Sequence, residues 1–295
     1  MSNHKKRILS SAIPNLKKLA CITACAFLLP FVTFANTDTL KNSQVKFNRW
    51  AISVSGGYVV AATNDIIGNQ STNDGQNNFS TQVITGTLGG GIFNSLLASF
   101  EMKKDIGIEV GAFANWGSNI HTSSYYTSSV PQDEDKYMRV NSKGALVGFF
   151  IAKTFSKVRL AVHNDFVLGL SNQLYYNNHL VSPSGTNDSY WKYSGGMSYG
   201  WKGKIEASYN LTEHFGIGIE GFFMLHSWSP EKGFFESFIV NGEEKISSVS
   251  GSSRNVIFVD GYAYSTVSGG PANKQIRTVY PLHAAGGSLI LRYSF

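Results

Sequence analysis

His163 and Asp165 are the first residues in this chain whose types and spacing point to chemistry. Two apart in the run 158–170, they share one face of an extended strand, and a carboxylate beside an imidazole is part of a nucleophilic triad. No serine completes the set, because Ala161 and Val167 flank them on that face. His226 and Ser227 are adjacent, but neighbours on a strand point to opposite faces. His121 and His179 lie in polar segments, where only the fold can bring a serine to them. The seven histidines, including His4 near the N-terminus, show no paired ligand spacing. Both cysteines, Cys21 and Cys25, fall in the N-terminal segment, so the rest of the chain has no thiol for a disulfide or a metal. The sequence nominates no catalytic, cofactor-binding or metal-binding residue.

That N-terminal segment, residues 1–35, reads as a cleaved secretory signal. His4-Lys5-Lys6-Arg7 and Lys17-Lys18 precede an apolar run, which ends in Thr33-Phe34-Ala35. A membrane anchor is the competing reading; Pro30 interrupts the run, and its length of about 17 residues is marginal for a span. Ile22-Thr23-Ala24-Cys25 has the outline of a lipoprotein cleavage box, yet most of the apolar run follows Cys25. Removing the segment takes away five Lys and Arg, which leaves 20 basic against 19 acidic residues. A near-neutral mature chain has no electrostatic footprint for phosphate backbones, so nucleic acid is excluded as a partner. Residues 36–48 then form a short periplasmic tail, and residues 49–295 form one domain.

Within that domain, apolar and polar residues alternate with period two in stretches of about ten, separated alternately by tight turns and long polar segments. Three stretches read as uninterrupted hairpins: 96–116 turning at Lys103-Lys104-Asp105, 145–170 turning at 154–157, and 197–225 turning at 211–214. One strand before them, from Trp50 to about Ala62, and one after, ending at Phe295, make eight. The segments 63–80, 118–137, 172–192 and 229 to about 275 are the long polar loops. Long loops at one end and tight turns at the other predict an all-β fold: an eight-stranded antiparallel transmembrane β-barrel, with four long extracellular loops and short periplasmic turns.

Alternation also assigns faces. Val158, Leu160, Val162, Phe166, Leu168 and Leu170 oppose Arg159, His163 and Asp165, and Phe215, Ile217, Ile219, Phe223 and Leu225 oppose Gly216, Gly218, Glu220 and Met224. An uncompensated charge on the lipid face costs about 2–4 kcal/mol at the midplane, so the charged face is the lumen. Glu101, Glu109, Arg159, His163, Asp165, Lys202, Lys204, Glu206, Glu220 and Arg292 are expected there. A lumen this narrow is filled by side chains, and buried charges persist when paired. Asn164 falls on the apolar face, where a β-bulge is the one account of it. A soluble β-sandwich alternates too, but Trp50, Trp116, Tyr199, Trp201, Tyr209, Phe215, Trp228 and Tyr293 lie near strand ends, as an interfacial girdle requires.

The last strand is more specific. Gly287, Leu289, Leu291, Tyr293 and Phe295 alternate with Ser288, Ile290, Arg292 and Ser294, and the sequence stops on phenylalanine. With the opening Trp50-Ala51-Ile52-Ser53-Val54-Ser55-Gly56-Gly57-Tyr58, this resembles the opacity-like and OmpA-like family of small outer-membrane barrels. The resemblance implies that the barrel assembly machinery reads the strand ending at Phe295, and that outer-membrane lipids and lipopolysaccharide surround the barrel. It also implies a surface protein with a structural role and a host or environmental ligand at its loops, in the manner of an adhesin or antigen. Barrels of this size include lipid A deacylases and palmitoyltransferases; the deacylase pattern, His and Ser two apart at the lipid face, is not matched. A lipid-modifying enzyme and a narrow conduit for small molecules are the alternatives. In the fourth loop, 234–240 and 255–259 read as strands outside the membrane, either extending a hairpin over the barrel mouth or forming a binding surface.

Overall fold

The computed structural model describes residues 49–63, 65–73, 79–127, 131–260 and 273–295. The expected signal and tail, residues 1–48, lie outside them. Eight strands form the wall: β1 Trp50–Ala61, β2 Gly91–Lys103, β3 Ile106–Gly117, β4 Pro131–Phe155, β5 Val158–Ser182, β6 Ser198–Asn210, β7 Phe215–Trp228 and β8 Ala284–Ser294. Each pairs antiparallel with the next, and β8 returns to β1 in continuous register from Ala51↔Ser294 to Ala61↔Ala284. The circuit is closed, and the fold is an eight-stranded antiparallel β-barrel of the transmembrane type.

Local chemistry makes the tight turns. Lys104-Asp105 and Ser156-Lys157 are two-residue turns, in which Asp105 at φ 70° and Ser156 at φ 55° take the left-handed conformation such turns need. At the third turn the Thr212 hydroxyl accepts the backbone N–H groups of Phe215 at 2.9 Å and His214 at 3.2 Å, which closes the turn.

The faces are inverted relative to a soluble protein. Outward residues are large and apolar on every strand, among them Val54, Leu96, Val110, Phe149, Phe166, Ile205, Ile219 and Leu289. Such a continuous exposed belt has no place on a soluble monomer. Aromatics bound it: Trp50, Phe155, Tyr209, Phe215 and Tyr293 at the end with tight turns, and Tyr58, Trp116 and Tyr199 at the other. From Tyr199 to Tyr209 the strand rises about 33 Å, which at a tilt of roughly 40° gives a belt about 25 Å tall. That is the height of a barrel's hydrocarbon zone.

Two expectations are corrected. Trp228 is not in the girdle: it is 1% exposed, inside the barrel mouth, and its indole N–H donates to the carbonyl of Gly195 at 2.8 Å. Nor is there a bulge at Asn164, where β5 stays in register with β4 and β6. Trp201, on the same outward face, donates its indole N–H to the Asn164 amide oxygen, so the polar group is satisfied at the lipid surface. The bulge lies further along, where Lys143↔Ser171 is followed by Gly144↔Gly169 and Leu170 is left over. Leu170 and Ser171 both face outward, and the inward residues change from odd to even numbers: Val167 and Gly169 below, Asn172 and Leu174 above.

A closed wall has no edge from which to unravel in detergent. The folded protein is therefore expected to migrate differently on gels before and after boiling. Identical migration of the two samples would contradict the closed circuit.

Candidate functional site

Two regions bring polar side chains together: the lumen and the sheet beyond the long-loop end. In the lumen, all ten expected residues face inward; nine are buried, and Glu101, nearest the turns, is half-buried. Glu206 is the hub on the turn side. Arg159 donates to it at 2.9 Å, Ser208 at 3.1 Å, and His163 and Arg292 lie at 3.2 and 4.0 Å. The other ring nitrogen of His163 is hydrogen-bonded to Glu109 at 2.7 Å, and Lys204 spans Glu109 and Glu220 at 3.7 and 3.6 Å. Ser55 donates to Glu220 at 3.1 Å. Asp165 sits opposite Lys202 on β6 and Gly148 on β4, where a Cβ in place of the Gly148 hydrogen would collide with its carboxylate. Both signs alternate through the cluster, as burial of charge requires.

The Lys202 ammonium reaches Glu220 at 3.7 Å and also lies over the rings of Phe222 and Phe93, at 4.4 and 4.8 Å. Beyond it an apolar layer of Val59, Phe93, Leu97, Phe113, Leu146, Val167, Phe222 and Met224 fills the lumen. Phe93 packs against Phe113 and Phe222, with centroids 6.0 and 4.8 Å apart. His226 and Asn115 are buried beyond that layer, and a second apolar cluster of Leu88, Met138, Val140, Leu174, Trp228 and Leu282 closes the mouth. Inward residues are also apolar, which hydropathy alternation cannot separate from the lipid face.

The expected long loops are mostly strand. β4 and β5 run 25 residues each, about twice what the belt needs. Above the belt β5 pairs with Gly185–Ser194, which pairs with Lys232–Val240, which pairs in turn with Asn255–Val259 at three positions. Both strand-like runs of the fourth loop therefore extend the sheet. Their inward residues Phe235, Val256 and Phe258 are buried; Trp191 stacks on Phe235 at 4.4 Å, and Tyr193 meets Phe258 edge-on at 5.3 Å. Tyr190 sits opposite Ser237. The outward face carries Arg139 and Lys192, whose cations lie over the Tyr175 ring at 5.0 and 5.5 Å.

His121 is hydrogen-bonded to Asp135 at 2.8 Å and stacks on Tyr137, holding the Asp135 carboxyl below its usual range. Ser123 bonds the same carboxylate. A triad needs the imidazole between hydroxyl and carboxylate, so this order supplies no activated nucleophile. His179 pairs with Asp188 at 2.5 Å. His226 is buried edge-on to Phe113, and Ser227 points to the opposite face. Among the described residues no cluster of three or more His, Cys, Asp or Glu has the arrangement of a metal site.

No protein-family profile matches the chain, and no curated protein matches it. Among solved structures it is similar to Neisserial surface protein A (NspA), at 8% identity over 83% of this chain and 97% of that one, with a TM-score of 0.33. It is also similar to Ail, the attachment invasion locus protein of Yersinia pestis, at 10% identity over 84% of this chain and 99% of that one, with a TM-score of 0.25. Likenesses at that level carry no weight on function. The closed strand circuit and the inverted faces establish the architecture on their own.

Proposed function

We propose that the protein is an outer-membrane surface protein, with its tight turns in the periplasm and its extended sheet outside the cell, that binds a host or environmental ligand through that sheet. The observation that carries the reading is the continuation of the strands well past the belt into a sheet packed on its own apolar inner face. Such a rigid platform presents a fixed outer surface, which a mobile loop does not. The filled lumen favours a structural and binding role over a conduit, and the order Ser123, Asp135, His121 favours binding over catalysis. Membrane lipids contact the belt, and the C-terminal strand is the segment offered to the assembly machinery. Its final residue, Phe295, is exposed, and its N–H donates to the carbonyl of Trp50 at 2.8 Å.

Shaving intact cells with trypsin tests topology and binding together. Lys245, just past the short strand Glu243–Glu244, and Lys274 are exposed at the long-loop end, whereas Lys103 and Lys104 lie at the opposite end. Cleavage is expected at Lys245 or Lys274 with Lys103 and Lys104 spared, together with loss of the cells' adherence to host surfaces relative to cells lacking the protein. Cleavage at Lys103 on intact cells would mean the barrel is inside out. Unchanged adherence after complete cleavage of the sheet would remove the binding role.

A further inference from the structure

Just above the belt the wall is interrupted. Gly185–Ser194 and β6 are one descending path broken at 195–197, where Gly195 and Gly196 have φ 82° and 73°, a conformation side chains resist. Beside this break the bulge at Leu170 pushes two consecutive β5 residues outward. Between them lies a cavity of about 310 Å³ lined by Leu170, Ser171, Gln173, Ser194, Met197 and Glu231, among others. Its walls are divided by height. Leu170 and Met197, on the membrane side, are exposed apolar side chains continuous with the belt, while the residues above them are polar.

Cations flank the polar half on both sides. Lys143 is the cross-strand partner of Ser171, and Lys232 is the partner of Ser194. One row further out, Arg139, Tyr175, Lys192 and Phe234 are consecutive partners on the same outward face, with Arg139 and Lys192 over the Tyr175 ring. Glu231 is the acid on the rim, and it packs against Gly195. Two of the remaining cations of this sheet have acidic partners: Lys136 with Glu134 and Lys245 with Glu243, at 2.7 and 2.5 Å. The strand register thus sets Lys143 and Lys232 on either side of the cavity, just beyond the aromatic row at Tyr199 and so at the height where the phosphates of membrane lipids lie.

We infer that this cavity binds the phosphorylated headgroup of an outer-leaflet glycolipid, with Lys143 and Lys232 taking the phosphate, Ser171, Gln173 and Ser194 the sugar hydroxyls, and Leu170 and Met197 the start of an acyl chain. Apolar below and cationic above, the site matches an amphiphile standing in the leaflet, and the Arg139 and Lys192 row offers a second phosphate a place further out. The assignment rests on the reading of the barrel as spanning an outer membrane, but not on any host ligand.

Purified full-length protein in detergent micelles tests it without reference to adherence. Bis-phosphorylated lipid A, its dephosphorylated form and inorganic phosphate are titrated separately, with retained ligand read by native mass spectrometry. Wild type is expected to retain the bis-phosphorylated lipid in preference to the other two. The double variant Lys143→Gln, Lys232→Gln should lose roughly thirtyfold in affinity. Lys143→Arg with Lys232→Arg should retain binding, and Lys103→Gln with Lys104→Gln, at the other end, should leave it unchanged. Gel migration before boiling verifies that each variant is folded. Equal binding by the Gln variant, equal retention of the dephosphorylated lipid, or displacement by millimolar phosphate would each overturn the site; the last would make it a sink for a soluble anion. An equal loss in the Lys103 and Lys104 variant would reduce the effect to overall charge.

Discussion

Replacing Glu206 by Gln is expected to destabilise the folded barrel by about 3–5 kcal/mol, because it leaves buried cations without their counter-ion. Gln is close to isosteric, so the loss reports charge rather than volume. Glu206 stands within 4.0 Å of Arg159, His163 and Arg292, and its contact with Arg159, at 2.9 Å, is the shortest of the three. The measurement is the urea midpoint and slope of the protein folded into lipid vesicles, followed by tryptophan fluorescence. The double variant Glu206→Met, Arg159→Met should recover at least half of the loss, since removing both partners removes the uncompensated charge as well. A single variant within about 1 kcal/mol of wild type would mean that water reaches the network and screens it.

The strand frame and the charged lumen were legible in the sequence because both follow from parity. Once the hairpins are placed at Lys104-Asp105, Ser156-Lys157 and 211–214, each inward residue is fixed by counting in twos. The same rule places Trp228 inside with Met224 and His226. Aromatic character at a strand end argues for the girdle, but parity decides, and the indole finds the Gly195 carbonyl. What counting cannot foresee is a place where it changes. The bulge at Leu170 leaves no clear mark in Gly169-Leu170-Ser171, and every residue above it on β5 changes face. The inner layer of Phe93, Phe113 and Phe222 was hidden for another reason: an apolar residue satisfies the rules of both lumen and lipid.

The outer sheet was half legible. Phe234 to Val240 and Asn255 to Val259 carry strand chemistry, but which strand each pairs with is a matter of long-range register. The juxtaposition of Lys143 with Ser171 and of Lys232 with Ser194 depends on that register. So does the cavity at 195–197, because two consecutive glycines carry no record of what their backbone lies beside.

The sharpest test of the inverted faces is a charge placed on the belt. Ile205 stands near the middle of β6 between the aromatic rows at Tyr199 and Tyr209, faces outward opposite Val162 and Gly221, and is 64% exposed. On a soluble barrel an arginine at so open a position would change stability by about 0.5 kcal/mol or less. In a bilayer it meets hydrocarbon about 10 Å from one boundary and about 15 Å from the other, and its cost is about 2–4 kcal/mol. Ile205→Arg is therefore expected to lower the unfolding free energy in vesicles by that amount. The same substitution at Ile92, near the outer girdle, should cost about 1 kcal/mol or less. The contrast between the two positions matters more than either value, because it measures depth. A general intolerance of arginine would depress both variants equally, and a water-facing belt would spare both. Only a hydrocarbon layer centred on the Ile205 row separates them, so equal effects at the two sites would remove the transmembrane assignment along with the orientation built on it.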